Sequence, residues 1–107
     1  MVVLNNLYLC VMLTLDSIKE KLLLLKPEIQ QRYYVHTIGL FGSVVRDDYS
    51  SESDIDVIVD FSRPIGIEFI DLAEFIESKL GRKIDLVSKR GVKPKYLRQI
   101  EEEIIYV

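Results

Sequence analysis

Residues 54–61, DIDVIVDF, place the strongest constraint on how this chain folds. Ile55, Val57, Val59 and Phe61 fall on one side of an alternating pattern, and Asp54, Asp56, Ile58 and Asp60 on the other. Successive side chains of a strand leave opposite faces, so the stretch is a strand with one face in a core. The same period sends the Asp54 and Asp56 carboxylates out of one face, with Cα atoms about 6.6 Å apart. Both are charged at neutral pH at the ordinary aspartate pKa of about 3.9. They repel unless a cation lies between them. Mg2+ meets that need, being a hard ion that takes one or two carboxylates and then shares phosphate oxygens. Alone, the pair reads more simply as decoration of a solvated face.

The other elements follow from pattern. Thr14 caps a helix over residues 15–25, with Leu15, Ile18, Leu22 and Leu25 on one face. Pro27 ends or bends it, and residues 27–33 add a further turn or two. Residues 35–41, VHTIGLF, are short and apolar on both faces and make an interior strand. GSVVRD (42–47) reads as a tight turn into a short helix, and DDYSSES (47–53) as a polar loop. Pro64 and Gly66 precede a helix over residues 67–80, with Ile65, Phe69, Ala73, Ile76 and Leu80 as its core stripe and Gly81 at its C-cap. KIDLV (83–87) is a third strand. Pro94 opens a last helix running to the end of the chain, with Leu97, Ile100, Ile104 and Val107 on one side and Glu101 to Glu103 on a solvated face. The 107 residues allow one small domain. This order makes an α/β domain, a mixed β-sheet flanked by helices.

Charge and cysteine narrow the function. A net charge of −3 is a poor start for gripping long nucleic acid, which needs a concentrated basic face. A single nucleotide arriving with a metal ion is compatible with it. Lys89, Arg90, Lys93, Lys95 and Arg98 form a local basic run that reads as a solvated patch. Cys10 is the only cysteine, so there is no disulfide framework and no cysteine zinc site, and a cytoplasmic location is expected. His36, the single histidine, reads as structural or surface. The apolar start, MVVLNNLYLCVML, is shorter than the roughly 20 residues of a spanning helix, so no membrane association is expected. Residues 1–11 read as an extension to a domain over residues 12–107. An edge strand, or a true start at Met12, are the other readings.

Asp85 turns the Asp54–Asp56 pair into a constellation. It is an ionised group between Ile84 and Leu86 in another short strand. With the two strands adjacent, three carboxylates would converge on a pair of metal ions about 3.5–4 Å apart, and Asp85 would also take a proton from an attacking hydroxyl. Gly42 and Ser43 supply the phosphate side, because a glycine directly after a strand lets backbone amides approach a ligand closely. Arg46, three residues on, brings a guanidinium suited to phosphate oxygens.

Residues 39–61, GLFGSVVRDDYSSESDIDVIVDF, resemble the signature of the DNA polymerase beta-like nucleotidyltransferase superfamily, a Gly-Ser motif followed by Asp-x-Asp. The likeness is greatest to the prokaryotic minimal nucleotidyltransferases (MNT proteins) and extends to the first helix, to KIDLVS as the third-carboxylate strand and to the closing segment. SVVRDD departs mildly from the usual small residue before the arginine and glycine after it. The resemblance implies the small nucleotidyltransferase fold. It implies that Gly42, Ser43 and Arg46 bind the nucleotide, that Asp54, Asp56 and Asp85 hold Mg2+ in a two-ion site, and that these aspartates with Ser43 are catalytic. ATP is the implied substrate, and AMP passes to a hydroxyl. MNT proteins are typically paired with a HEPN-domain RNase toxin, which they silence by adding AMP to a tyrosine. A HEPN toxin is therefore the implied partner and acceptor. Two rivals stand beside this reading: transfer to a small molecule or an RNA end, and a toxin-binding module without catalysis.

Overall fold

Helix α1 spans Leu15–Tyr33 in a computed structural model that describes residues 14–46 and 53–107. The extension over residues 1–11 and most of the polar loop lie outside the described residues. Thr14 caps α1 in a reciprocal box: its hydroxyl accepts the Ser17 N–H, and the Ser17 hydroxyl accepts the Thr14 N–H. Tyr34, with φ 57°, stops the helix in the left-handed region.

Pro27 does not end the helix: residues 27–33 continue it, and α1 is one helix of 19 residues. An interior proline costs about 3 kcal/mol through the lost hydrogen bond and the clash one turn back. Ile18, Leu22, Ile29 and Tyr33 lie on both sides of it and are all buried. At roughly 1.5–3 kcal/mol per buried side chain, that stripe outweighs the proline.

The remaining elements are β1 (Val35–Phe41), a 3-10 turn (Gly42–Val44), β2 (Ile55–Phe61), α2 (Glu68–Leu80), β3 (Ile84–Ser88), a second 3-10 turn (Lys89–Gly91), α3 (Pro94–Glu101) and β4 (Ile105–Tyr106). The strands form one mixed sheet in the order β3-β2-β1-β4, with β2 parallel to β3 and the other pairs antiparallel. Helices α1 and α2 cover one face. There Ile38 and Leu40 of β1 meet Ile55, Val57, Val59 and Phe61 of β2, with Leu72, Ile76 and Leu80 of α2 above them. Leu22 is fully enclosed in this core. Leu22→Ala is expected to lower stability by about 2–5 kcal/mol, read as a lower urea midpoint at unchanged slope.

The end of the chain departs from expectation. The last helix stops at Glu101, and Ile105–Tyr106 pairs with β1 instead of continuing the helix. Leu97, Ile100, Ile104 and Val107 do have helical spacing, but residues 104–107 are a β-branched and aromatic run beside an otherwise open strand edge. Pairing satisfies backbone groups that a further helical turn would leave on β1. Val107 N–H donates to the Ile38 carbonyl at 2.9 Å, and Lys26 Nζ donates to the Val107 carbonyl at 2.7 Å. Gly39 makes room, since a Cβ there would lie 2.7 Å from Ile104 Cγ2.

The second sheet face carries polar groups. Phe41, Asp56 and Asp85 share one row across β1, β2 and β3; Gly39, Ile58 and Val87 share the next. No helix among the described residues is long and apolar enough to cross a membrane.

Candidate active site

Asp56 sits at the centre of the site because β2 is an interior strand. Its neighbour in the parallel register is Asp85, which puts their Cα atoms one strand spacing apart, about 4.8 Å. The start of this strand pair is tied down on both sides. The Ile55 N–H donates to the Lys83 carbonyl at 3.0 Å, Arg82 donates to the Ser53 carbonyl at 2.7 Å, and the Glu77 carboxylate accepts the Ile84 N–H at 3.1 Å.

Asp56 and Asp85 stand side by side in one row of the sheet. Burial pushes the Asp56 carboxyl up to about 6, helped by the charge of Asp85, a hydrogen bond to it and the charge of Asp54; Arg46 pulls the other way. Asp56 is half-buried, whereas Asp54, just ahead of β2, and Asp85 are exposed. Among the described residues no three carboxylates, histidines or cysteines converge in ready ligand geometry. Asp56 and Asp85 come together, and Asp54 acts on Asp56 through its charge.

Gly42 is the point where β1 meets the carboxylates. Its φ is +74°, and a Cβ there would overlap Asp56 Oδ2 and lie 3.0 Å from Asp56 Cγ. Glycine is thus required twice, by conformation and by space. The short helix expected in GSVVRD is a three-residue 3-10 helix, Gly42–Val44; the Val45 and Arg46 N–H groups both return to the Gly42 carbonyl, at 3.0 and 3.1 Å. Ser43 is half-buried at the turn. Arg46 is exposed, near enough for its charge to reach Asp56.

One residue at this site escapes the sequence reading. Glu103, expected on a solvated face, accepts the Gly42 N–H at 3.1 Å and stands 3.8 Å from Arg46. The partners are 61 residues apart in sequence, and no local spacing links them. The basic run, by contrast, stays at the surface: Arg90 meets Asp60 at 3.2 Å, at the far end of the face.

The donor chemistry fits a hard divalent cation. All three candidate ligands are carboxylates, two of them on neighbouring strands in one register row, and the missing Cβ of Gly42 lets the Asp56 carboxylate lie directly against the turn. A like-charged pair of this kind is relieved by a cation or by a proton, and burial makes the need greater.

Comparison with known proteins agrees with this geometry. Residues 22–107 match the pattern of a family described as nucleotidyltransferase domain. The protein adenylyltransferase MntA of Thermococcus cleftensis is 40% identical over 97 residues, covering 90% of this chain and 98% of the relative. A solved structure named provisionally as a minimal nucleotidyltransferase superposes with a TM-score of 0.74 at 27% identity, covering 86% of this chain and 94% of that one. A Shewanella oneidensis structure, a tri-AMPylated HEPN toxin in complex with an MNT antitoxin, shares the fold, with a TM-score of 0.62 at 21% identity over 87% of this chain and 71% of that one. This chain therefore belongs to the nucleotidyltransferase domain family and has the fold of the minimal nucleotidyltransferases.

Proposed function

We propose that the protein is an antitoxin that transfers AMP from ATP to a tyrosine hydroxyl of a HEPN-fold toxin and so silences it. The observation that carries this is the Asp56–Asp85 carboxyl pair set against the Gly42 turn. The names of the Thermococcus relative and of the Shewanella complex support the choice of a protein acceptor. The described residues form three helices and a four-stranded sheet.

Asp54, Asp56 and Asp85 would hold Mg2+, which when bound neutralises phosphate oxygens and the charge that develops on the leaving group. Ser43 and Arg46 bind and orient the triphosphate. Asp85, exposed at the rim, accepts the tyrosine proton as its oxygen attacks the α-phosphorus. The new bond joins that oxygen to phosphorus, the bond from the α-phosphorus to the α,β-bridging oxygen breaks, and pyrophosphate leaves with the electron pair.

The test uses radiolabelled ATP, the protein and a HEPN-fold toxin, with Mg2+ or with a chelator. Label is expected on the toxin with Mg2+ only, and the double variant Asp54→Asn, Asp56→Asn should transfer none while still binding the toxin. If that variant neutralises the toxin fully, neutralisation is by covering it and the catalytic account fails. Label on a small molecule or an RNA end instead of the toxin would move the acceptor to that class.

A further inference from the structure

Glu103 occupies a constructed position. It lies in the turn between α3 and β4, its own N–H closes that turn on the Ile100 carbonyl at 2.9 Å, and its side chain is 26% exposed. The pairing of Ile105 and Tyr106 with β1 fixes the backbone just beyond it. Strand β1 runs between β2 and β4, so Gly42 at its end is reached from both sides. From β2, Asp56 fills the space beside the Gly42 Cα. From the β4 side, Glu103 takes the Gly42 N–H. The second Glu103 oxygen stands 3.8 Å from the Arg46 guanidinium, whose charge also reaches Asp56.

An amide held by a protein carboxylate is not offered to a phosphate. A negative charge so near a triphosphate would oppose binding, unless it is matched by a cation and turned away from the ligand. Here it is matched by Arg46 and lies across β1 from the aspartates. We propose that Glu103 is a positioning residue for the triphosphate: by holding the Gly42 N–H and the Arg46 guanidinium it fixes the turn that presents Ser43 and Arg46 beside the Asp56–Asp85 pair. This rests on the nucleotidyltransfer reading above.

The test compares the full-length wild type with Glu103→Ala, Glu103→Gln and Glu103→Asp in AMP transfer to the toxin. Glu103→Ala is expected to raise KM for ATP about tenfold, the scale of one charge-assisted hydrogen bond, with kcat within about threefold. Glu103→Gln keeps an oxygen that accepts the Gly42 N–H but turns its NH2 toward Arg46, so its KM should fall between those of wild type and Glu103→Ala. Glu103→Asp, one methylene shorter, should side with Glu103→Ala, and it serves as the test if the alanine variant does not fold. Direct binding gives the readout that a general loss of structure would not: AMP-PNP should weaken about tenfold in Glu103→Ala, and adenosine, which lacks phosphates, should not. Equal weakening of both ligands overturns the proposal. So does an unchanged KM, or a lower one, which would mark the carboxylate as a competitor of phosphate. A wild type that binds AMP-PNP but transfers no AMP sinks the nucleotidyltransfer reading, and this inference with it.

Discussion

Asp56→Asn should cut AMP transfer roughly a thousandfold and yet make the metal-free protein more stable above pH 6. The loss follows from removing the central carboxylate of the site. The gain follows from the raised proton affinity of Asp56 in the fold. Its pKa rises from 3.8 to about 6, mainly through burial. The folded state therefore holds a proton more tightly than the unfolded chain does, and that contribution is complete below about pH 4. It is lost as pH climbs from about 4 to 6, and ionised Asp56 is a net cost above that range. The shift alone corresponds to about 3 kcal/mol, which solvent screening of a half-buried group reduces to about 1–2 kcal/mol. Asparagine has nearly the same shape and carries no charge. Its melting temperature should exceed that of wild type by several degrees at pH 7.5 without divalent ions, and match it near pH 4.5. Mg2+ should then raise the wild type more than the variant, because binding needs the ionised carboxylate. A variant less stable than wild type at pH 7.5 would show that the pair is not under charge strain.

Where the site was legible, it lay in alternation and short spacing. DIDVIVDF fixes which face Asp56 leaves by, because the buried set Ile55, Val57 and Val59 admits only one register. Gly42 is legible too, since a glycine between a buried strand and a polar loop announces a close approach. Asp85 as the neighbour of Asp56 was legible only as a condition and through the family resemblance. It depends on β2 and β3 being adjacent and parallel with no register offset, and no local pattern encodes that pairing. The long α1 and the short α3 show the same division. At Pro27 a local rule was overridden by a buried stripe reaching along the whole helix. At Ile104 a helical period was overridden by an open sheet edge formed some 65 residues earlier. Glu103 belongs with them. Its partner was invisible until the last strand had turned back onto β1.

Gly42→Ala should have the second large effect, and Gly81→Ala isolates its cause. Both glycines have positive φ, +74° and +67°, so alanine at either pays the left-handed cost of about 1–2 kcal/mol. Nothing lies within 4 Å of a Cβ at Gly81, whereas a Cβ at Gly42 would overlap the Asp56 carboxylate. Gly81 ends α2 and a Cβ there touches nothing, so Gly81→Ala should lose that stability and keep its AMP transfer rate. Gly42→Ala should lose at least as much stability and about a hundredfold in rate, because a reacting geometry displaced by about 1 Å costs on that order. Urea melts and AMP transfer measured on both variants separate the two contributions. Equal loss of stability with equal activity in the two would mean that Asp56 moves aside freely and that the turn does not set its position. Loss of activity in Gly42→Ala alone would place the glycine's role in the space it leaves to the carboxylate, over and above the backbone angle it permits.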